Sequence, residues 1–206
     1  MEITAITPQM KDKRRCNIFV DGRFYCGLTL ECAVKNRLKV GQSVTESYLS
    51  DIQLESEKNT ALDKALTHVS ATRKTEKQVR DFLREKGYLS AVIEYVIEKM
   101  RGYNFLNDNE YAESYVECTA HKKGVRLIKM ELKKRGVADE DIDTALDNVD
   151  SQTQEDAARQ ILQKYMRGKA VDRETLAKAF RHLMGKGFDY ETARSALSAF
   201  GETEEE

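Results

Sequence analysis

From about residue 58 onward, apolar side chains recur at helical spacing. The stretch "NTALDKALTHVS" sets Ala61, Leu62, Ala65, Leu66 and Val69 along one side of a helix. "KTEKQVRDFLREKGY" follows and stops at Gly87, a residue suited to the left-handed turn that closes helices. "SAVIEYVIEKM" then carries Val92, Ile93, Val96, Ile97 and Met100 as a third apolar stripe. This triplet recurs. Aligning Gly87, Gly136 and Gly187, at offsets of 49 and 51, superimposes Leu83 with Leu132 and Leu183, and Val79 with Ile128 and Ala179. Tyr88, Val137 and Phe188 also coincide, as do Ile93, Ile142 and Ala193. The pattern predicts three copies of a three-helix unit, over residues 58–106, 107–150 and 153–201. The extra residues of the third copy are expected in "RGKAV". Repeats of this length stack into elongated, curved bodies with a concave binding surface.

Residues 1–52 alternate differently. "CNIFVDGRFYCGL" has two strand-like runs around Asp21-Gly22, a dipeptide that suits a two-residue hairpin turn. A strand around Ile3–Ile6 would extend the sheet. Thr29 offers a cap for a short helix over 30–39, and Thr45 for another through Tyr48 and Ile52. The expected fold class is therefore mainly α: three tandem three-helix repeats behind a small N-terminal α+β unit (a β-hairpin), with an acidic tail at 202–206. A cap on the first repeat is the preferred role for the N-terminal unit.

Composition narrows the function classes. A single proline and eleven glycines among 206 residues fit long helices. No apolar run approaches the roughly 18 residues of a membrane span, and the N-terminus lacks the charged and apolar regions of a signal peptide. A cytoplasmic monomer without a membrane partner is expected. Cys16, Cys26, Cys32 and Cys118 form no C-x-x-C pair, and His68, His121 and His182 fall in separate segments. The cysteines read as small buried hydrophobes. Neither a catalytic constellation, a metal set nor a cofactor motif is expected, and the chain reads as a non-enzyme.

Charge supplies the functional signal. The chain has 34 basic and 35 acidic side chains, yet "HKKGVRLIKMELKKRGV" (121–137) carries seven Lys or Arg and a single acid, Glu131. Under the 49-residue shift, Arg73, Lys77, Arg80 and Arg84 map onto Lys122, Arg126, Lys129 and Lys133. At about 100° per residue these positions span about 60° of arc, flanking the apolar face. The third repeat has Arg173, Ala177, Phe180 and Met184 there and keeps one charge only. A stripe that one repeat discards is not required by the fold, and like charges four residues apart repel slightly. The bland alternative is a solvated face paired with the acidic "ADEDIDTALDNVD". An anionic partner is either a phosphate backbone or an acidic protein surface. A base-reading helix-turn-helix is disfavoured, because its second helix would carry Asp139, Glu140, Asp141 and Asp143. Tyr103, Phe105, Tyr111 and Tyr115 could stack bases, but core packing is the stronger expectation.

The segments "TEKQVRDFLREKGY" (75–88), "YNFLNDNEYAESYVE" (103–117) and "KGVRLIKMELKKRGV" (123–137) resemble the RecX family of RecA regulators. Gly124, Leu127, Glu131, Leu132 and Gly136 occupy matching positions in its Gly-x-x-Arg-Ile-x-x-Glu-Leu pattern. Gln78-Val79 stands where the family often has Glu-Leu, Asn107-Asp108 where it has an Asp-Asp-like pair, and His121-Lys122 where arginine is common. The resemblance implies a non-enzymatic modulator of the RecA filament on single-stranded DNA, one that lies in the filament groove. Its contact surface would comprise Arg73, Lys77, Arg80, Arg84, Lys122, Lys123, Arg126, Lys129 and Lys133, with no cofactor. The alternative is a standalone backbone-type binder of single- or double-stranded DNA.

Overall fold

The structure is a computed structural model and describes residues 1–10 and 12–202, the last two by backbone alone. It is mainly helical, with an N-terminal three-stranded antiparallel sheet followed by three three-helix domains. The acidic tail expected at 202–206 lies, apart from the backbone of Glu202, outside the described residues. The chain divides into two compact units, residues 1–73 with 79–106, and residues 74–78 with 107–206.

In the first unit, β1 (Ile3–Pro8), β2 (Arg15–Val20) and β3 (Arg23–Thr29) pair in sequence order. Alternation buries Cys16, Ile18, Val20, Cys26 and Leu28 on one face. Asp21 and Gly22 both take positive φ, 49° and 78°, as a primed hairpin turn requires. The Thr29 hydroxyl accepts from Cys32 N–H and starts α1 (Leu30–Lys35), which ends four residues earlier than expected. Thr45 caps α2 (Glu46–Ser70), again through its hydroxyl. The short helix expected at 45–52 and the first helix of the first repeat are thus one continuous helix. Leu49 and Ile52 of α2 are buried with the sheet, whereas Ala61 and Ala65 are buried with α3 (Glu76–Glu85) and α4 (Ser90–Gly102). One rod therefore serves two cores, and no linker separates them.

The second unit holds α5 (Asp108–Thr119), α6 (Val125–Lys134) and α7 (Asp139–Asp147), then α8 (Ser151–Met166), α9 (Arg173–Gly185) and α10 (Tyr190–Glu202). Gly87, Gly136 and Gly187 take φ of 81°, 86° and 89°. Behind each, the next N–H donates to a carbonyl five residues back: Tyr88 to Leu83, Val137 to Leu132, Phe188 to Leu183. The superimposed leucines Leu83, Leu132 and Leu183 are all fully buried. Buried Ala112 and Val116 of α5, and Ala120 just after it, correspond to Ala158, Leu162 and Met166 of α8. The extra residues of the third repeat consequently follow Met166, in the segment containing "RGKAV".

The cysteine expectation holds for Cys16, Cys26 and Cys32 and fails for Cys118, which is exposed on α5. Burial pushes the Cys26 thiol up to about 11, which keeps it protonated and unreactive.

Candidate partner-binding surface

The basic positions do not form a uniform ridge. Each sits on the second helix of its repeat or in the turn before it, but their partners differ.

One basic position in each of the first two repeats braces that repeat from within. Arg80 on α3 donates to both Glu94 oxygens on α4, at 2.5 and 2.9 Å. Forty-nine residues on, Lys129 of α6 pairs with Asp143 of α7. The same cross-brace thus appears twice, between the second and third helices. In the third repeat the basic position is Phe180, packed against the core and edge-on to Tyr190, and the acidic position is Arg194. Both positions change together: the ion pair is gone, and Phe180 packs on the core and Tyr190 instead. Part of the stripe is thus engaged within the chain, at Arg80 and Lys129. Met184 likewise packs on its own core.

Further positions are also engaged. Lys77, at the start of α3 and within the second unit, donates to the Lys134 carbonyl at 3.0 Å and lays its stem against Gly136. Arg84 pairs with Asp81 at 2.7 Å, and Lys133 with Asp139 at 2.7 Å, both in solvent. Arg73 is exposed and makes an interaction of its own. Lys123 is tied down more firmly. Its ammonium reaches both Glu131 oxygens, at 2.8 and 2.6 Å, and Glu131 also accepts from the Tyr115 hydroxyl. Arg135 closes the group, donating to Tyr111 at 2.7 Å with its guanidinium 4.2 Å above the Tyr115 ring. Burial alone would raise the Glu131 carboxyl, but the hydrogen bonds from Lys123 and Tyr115 hold it below its ordinary range. The same Glu131 contact, working against desolvation, raises Lys123.

Lys122 and Arg126 remain. Both are exposed, Lys122 in the turn before α6 and Arg126 in its first turn, and neither has an ion pair among the described residues. Backbone contacts position them. Gly124 N–H donates to the Lys186 carbonyl at 2.9 Å and Arg126 N–H to the Gly187 carbonyl at 3.1 Å. Val125 N–H donates to Gln154 Oε1 at 3.0 Å, while Gln154 Nε2 donates to the carbonyls of Ala120, at 2.7 Å, and Lys123, at 3.2 Å. A Cβ on Gly124 would fall inside the backbone of Gly187 and Phe188. A related joint holds the start of α3 within this unit. There Thr75 donates to the Arg135 carbonyl at 2.6 Å, and Glu76 N–H donates to Asp108 at 2.9 Å.

Four family models together account for most of the chain. The Regulatory protein RecX N-terminal domain matches residues 1–45, and the first, second and third RecX three-helix domains match 61–100, 107–146 and 152–197. The chain belongs to the RecX family. The Regulatory protein RecX of Clostridium perfringens is 32% identical over 200 residues, covering 95% of this chain and 94% of that one. Its counterpart in Clostridium acetobutylicum is 34% identical over 195 residues and covers 91% of each chain. A crystal structure of regulatory protein RecX superimposes with a TM-score of 0.72 at 26% identity, over 96% of this chain and 98% of the other. The RecX resemblance read from the sequence is therefore correct.

Sequence reasoning missed Gln154. It is a polar residue 8% exposed in an otherwise apolar-periodic position, and it makes three hydrogen bonds. The available signal was its place in the apolar register of α8, four residues before Ala158. The aromatic expectation divides. Tyr111 and Tyr115 stack at 6.2 Å against the second repeat, as expected for core packing, whereas Tyr103 and Phe105 are exposed. Asn104, at φ 57°, holds that exposed pair on a tight turn beside Lys99 and Arg101.

Proposed function

We propose that this RecX-family chain is a non-enzymatic cytoplasmic regulator that binds the RecA filament on single-stranded DNA and restrains its assembly and activity. Membership of a regulatory family over all four parts of the chain carries this reading. Lys122 and Arg126 are the principal contacts, because they present positive charge that no ion pair among the described residues matches. Arg73, Lys77, Arg80, Arg84, Lys123, Lys129 and Lys133 are secondary. Exposed ion pairs contribute about 0–1 kcal/mol each, so Arg84, Lys129 and Lys133 can exchange an internal carboxylate for a partner's acid or phosphate at little cost. The regulator acts by differential affinity: binding that favours one filament state shifts growth and loss without chemistry.

The second reading, a standalone nucleic-acid binder, draws support from Tyr103 and Phe105, two exposed rings beside cations. One titration separates the two readings. Wild type and Lys122→Glu/Arg126→Glu are measured against bare single-stranded DNA and RecA-coated DNA over a salt series. The filament reading expects tight binding to coated DNA alone, weakened about tenfold or more by the double reversal. Equal binding to bare DNA with a steep salt slope would establish the second reading instead.

A further inference from the structure

The second repeat carries an acid-rimmed groove that the basic-surface reading does not use. It opens between α5, the end of α7 and the start of α8, with a volume of about 520 Å³. Val116, Ala145 and Val149 form its floor, and Glu113, Glu117 and Asp150 stand at its edges. Glu113 and Glu117 are exposed, and no ion pair reaches either among the described residues. Glu113 accepts only an amide hydrogen bond from Asn109, at 3.3 Å, and Asp150 caps α8. His121, one turn beyond Glu117, completes the wall.

The fold does not need these acids. The alignment that superimposes Ala112 and Val116 on Ala158 and Leu162 places Arg159 at the position of Glu113 and Gln163 at that of Glu117. In the first repeat, where Ala61 and Ala65 take the buried positions, the counterparts are Leu62 and Leu66, packed against the core. The second repeat lines its trough with carboxylates that neither other repeat carries at these positions. The trough is also pre-formed, since Gln154 pins the start of α8 to the end of α5.

We propose that this groove docks a basic amphipathic helix of a partner protein. Glu113 and Glu117 lie one turn apart on α5, matching Lys or Arg side chains spaced i,i+4 on an incoming helix. An apolar side chain on the same face of that helix fills the floor between α5 and α7, as helix-in-groove recognition requires. The volume accepts a few side chains and excludes a folded domain. Anionic DNA is repelled by the same carboxylates, so this surface is distinct in chemistry from Lys122 and Arg126. The proposal does not depend on RecA being the partner.

The test uses the full chain labelled with 15N. It is titrated with a helical peptide of about four turns carrying lysines at i,i+4 and leucines between them, and with the same peptide bearing glutamate for lysine. Shifts confined to α5, the end of α7 and the start of α8, seen with the lysine peptide alone, are the expected result. Glu113→Arg/Glu117→Gln, which installs the third repeat's own residues and so folds, weakens that binding about tenfold or more. Lys122→Glu/Arg126→Glu leaves it unchanged while weakening filament or DNA binding, which separates failure of this proposal from failure of the filament reading. Equal binding of the glutamate peptide, no binding of the lysine peptide, or indifference to the groove variant overturns it. So does salt-sensitive self-association in sedimentation that the groove variant abolishes, since the occupant would then be a second copy.

Discussion

The second and third repeats fold alike and present different exteriors. Both bury a leucine before the turn glycine, at Leu132 and Leu183, and both close the turn with the same hydrogen bond. Yet Lys129 facing Asp143 becomes Phe180 and Arg194, Arg126 becomes Ala177, and Glu113 becomes Arg159. The backbone and core are thus fixed by positions that stay apolar in each repeat, while the outer face varies freely between repeats. A charge retained in one repeat and lost in the next is a functional hint only after its internal contacts are subtracted. Lys129 loses much of its meaning by that measure, and Lys122 and Arg126 keep theirs.

The sharpest break between these repeats lies at their glycines. Gly124→Ala drives a methyl into the backbone at Gly187 and Phe188, and should cost about 3 kcal/mol by denaturant unfolding. Gly185→Ala, in α9 with open space around the site, should stabilise by about 0.5 kcal/mol in the same assay. If the two substitutions cost the same, the close approach of the α6 start to the α9 turn is wrong. Next in size is Gln154→Leu, which strands the Val125 N–H and the Ala120 carbonyl and should cost about 2 kcal/mol.

Transplanting the third repeat's pair into the second is a smaller perturbation. Lys129 and Asp143 are both more than a third exposed, so their coupling in a double-mutant cycle should not exceed about 1 kcal/mol. Lys129→Phe/Asp143→Arg should lie closer to wild type than either single change, as measured by thermal unfolding. If the double variant were worse than the sum of its parts, the two repeats would not be interchangeable at this brace.

Acidification should separate the repeats most gently. His182 in the third repeat is stacked on Tyr165, and burial, with Lys186 and Lys169 nearby, lowers it from an ordinary 6.5. The unfolded chain therefore binds this proton first. Its contribution to stability is complete above 6.5 and erodes as the pH falls toward the lower folded value. The Glu131 contribution in the second repeat is complete above 4.5 and is lost only as the pH falls through a value below that. Hydrogen exchange between pH 7 and 5 should loosen α9 before α6, and His182→Asn should remove the difference. The Lys123 contribution behaves oppositely: present below 10.5, it fades as the pH rises through its higher folded value.

Much of the fold was legible because it rests on local rules. The period of apolar positions, three turn glycines, the caps at Thr29 and Thr45 and the Asp21-Gly22 turn each act within a few residues. The continuity of α2 was obscured because its two halves bury against different cores, so no single stripe runs its length. The candidate surface was legible only as a set of basic residues on the second helices.

Sequence alone determined the three-helix repeat, its register and its turns, together with the family, since periodicity and backbone conformation are encoded in neighbouring residues. Tertiary structure decided which charges are available. Whether a basic side chain is tied to its own chain depends on contacts such as that of Lys129 with an acid fourteen residues away, Asp143, and Lys122 and Arg126 have no ion pair among the described residues. Coulomb energy and desolvation depend on distance and exposure in three dimensions, and no spacing along the chain supplies either.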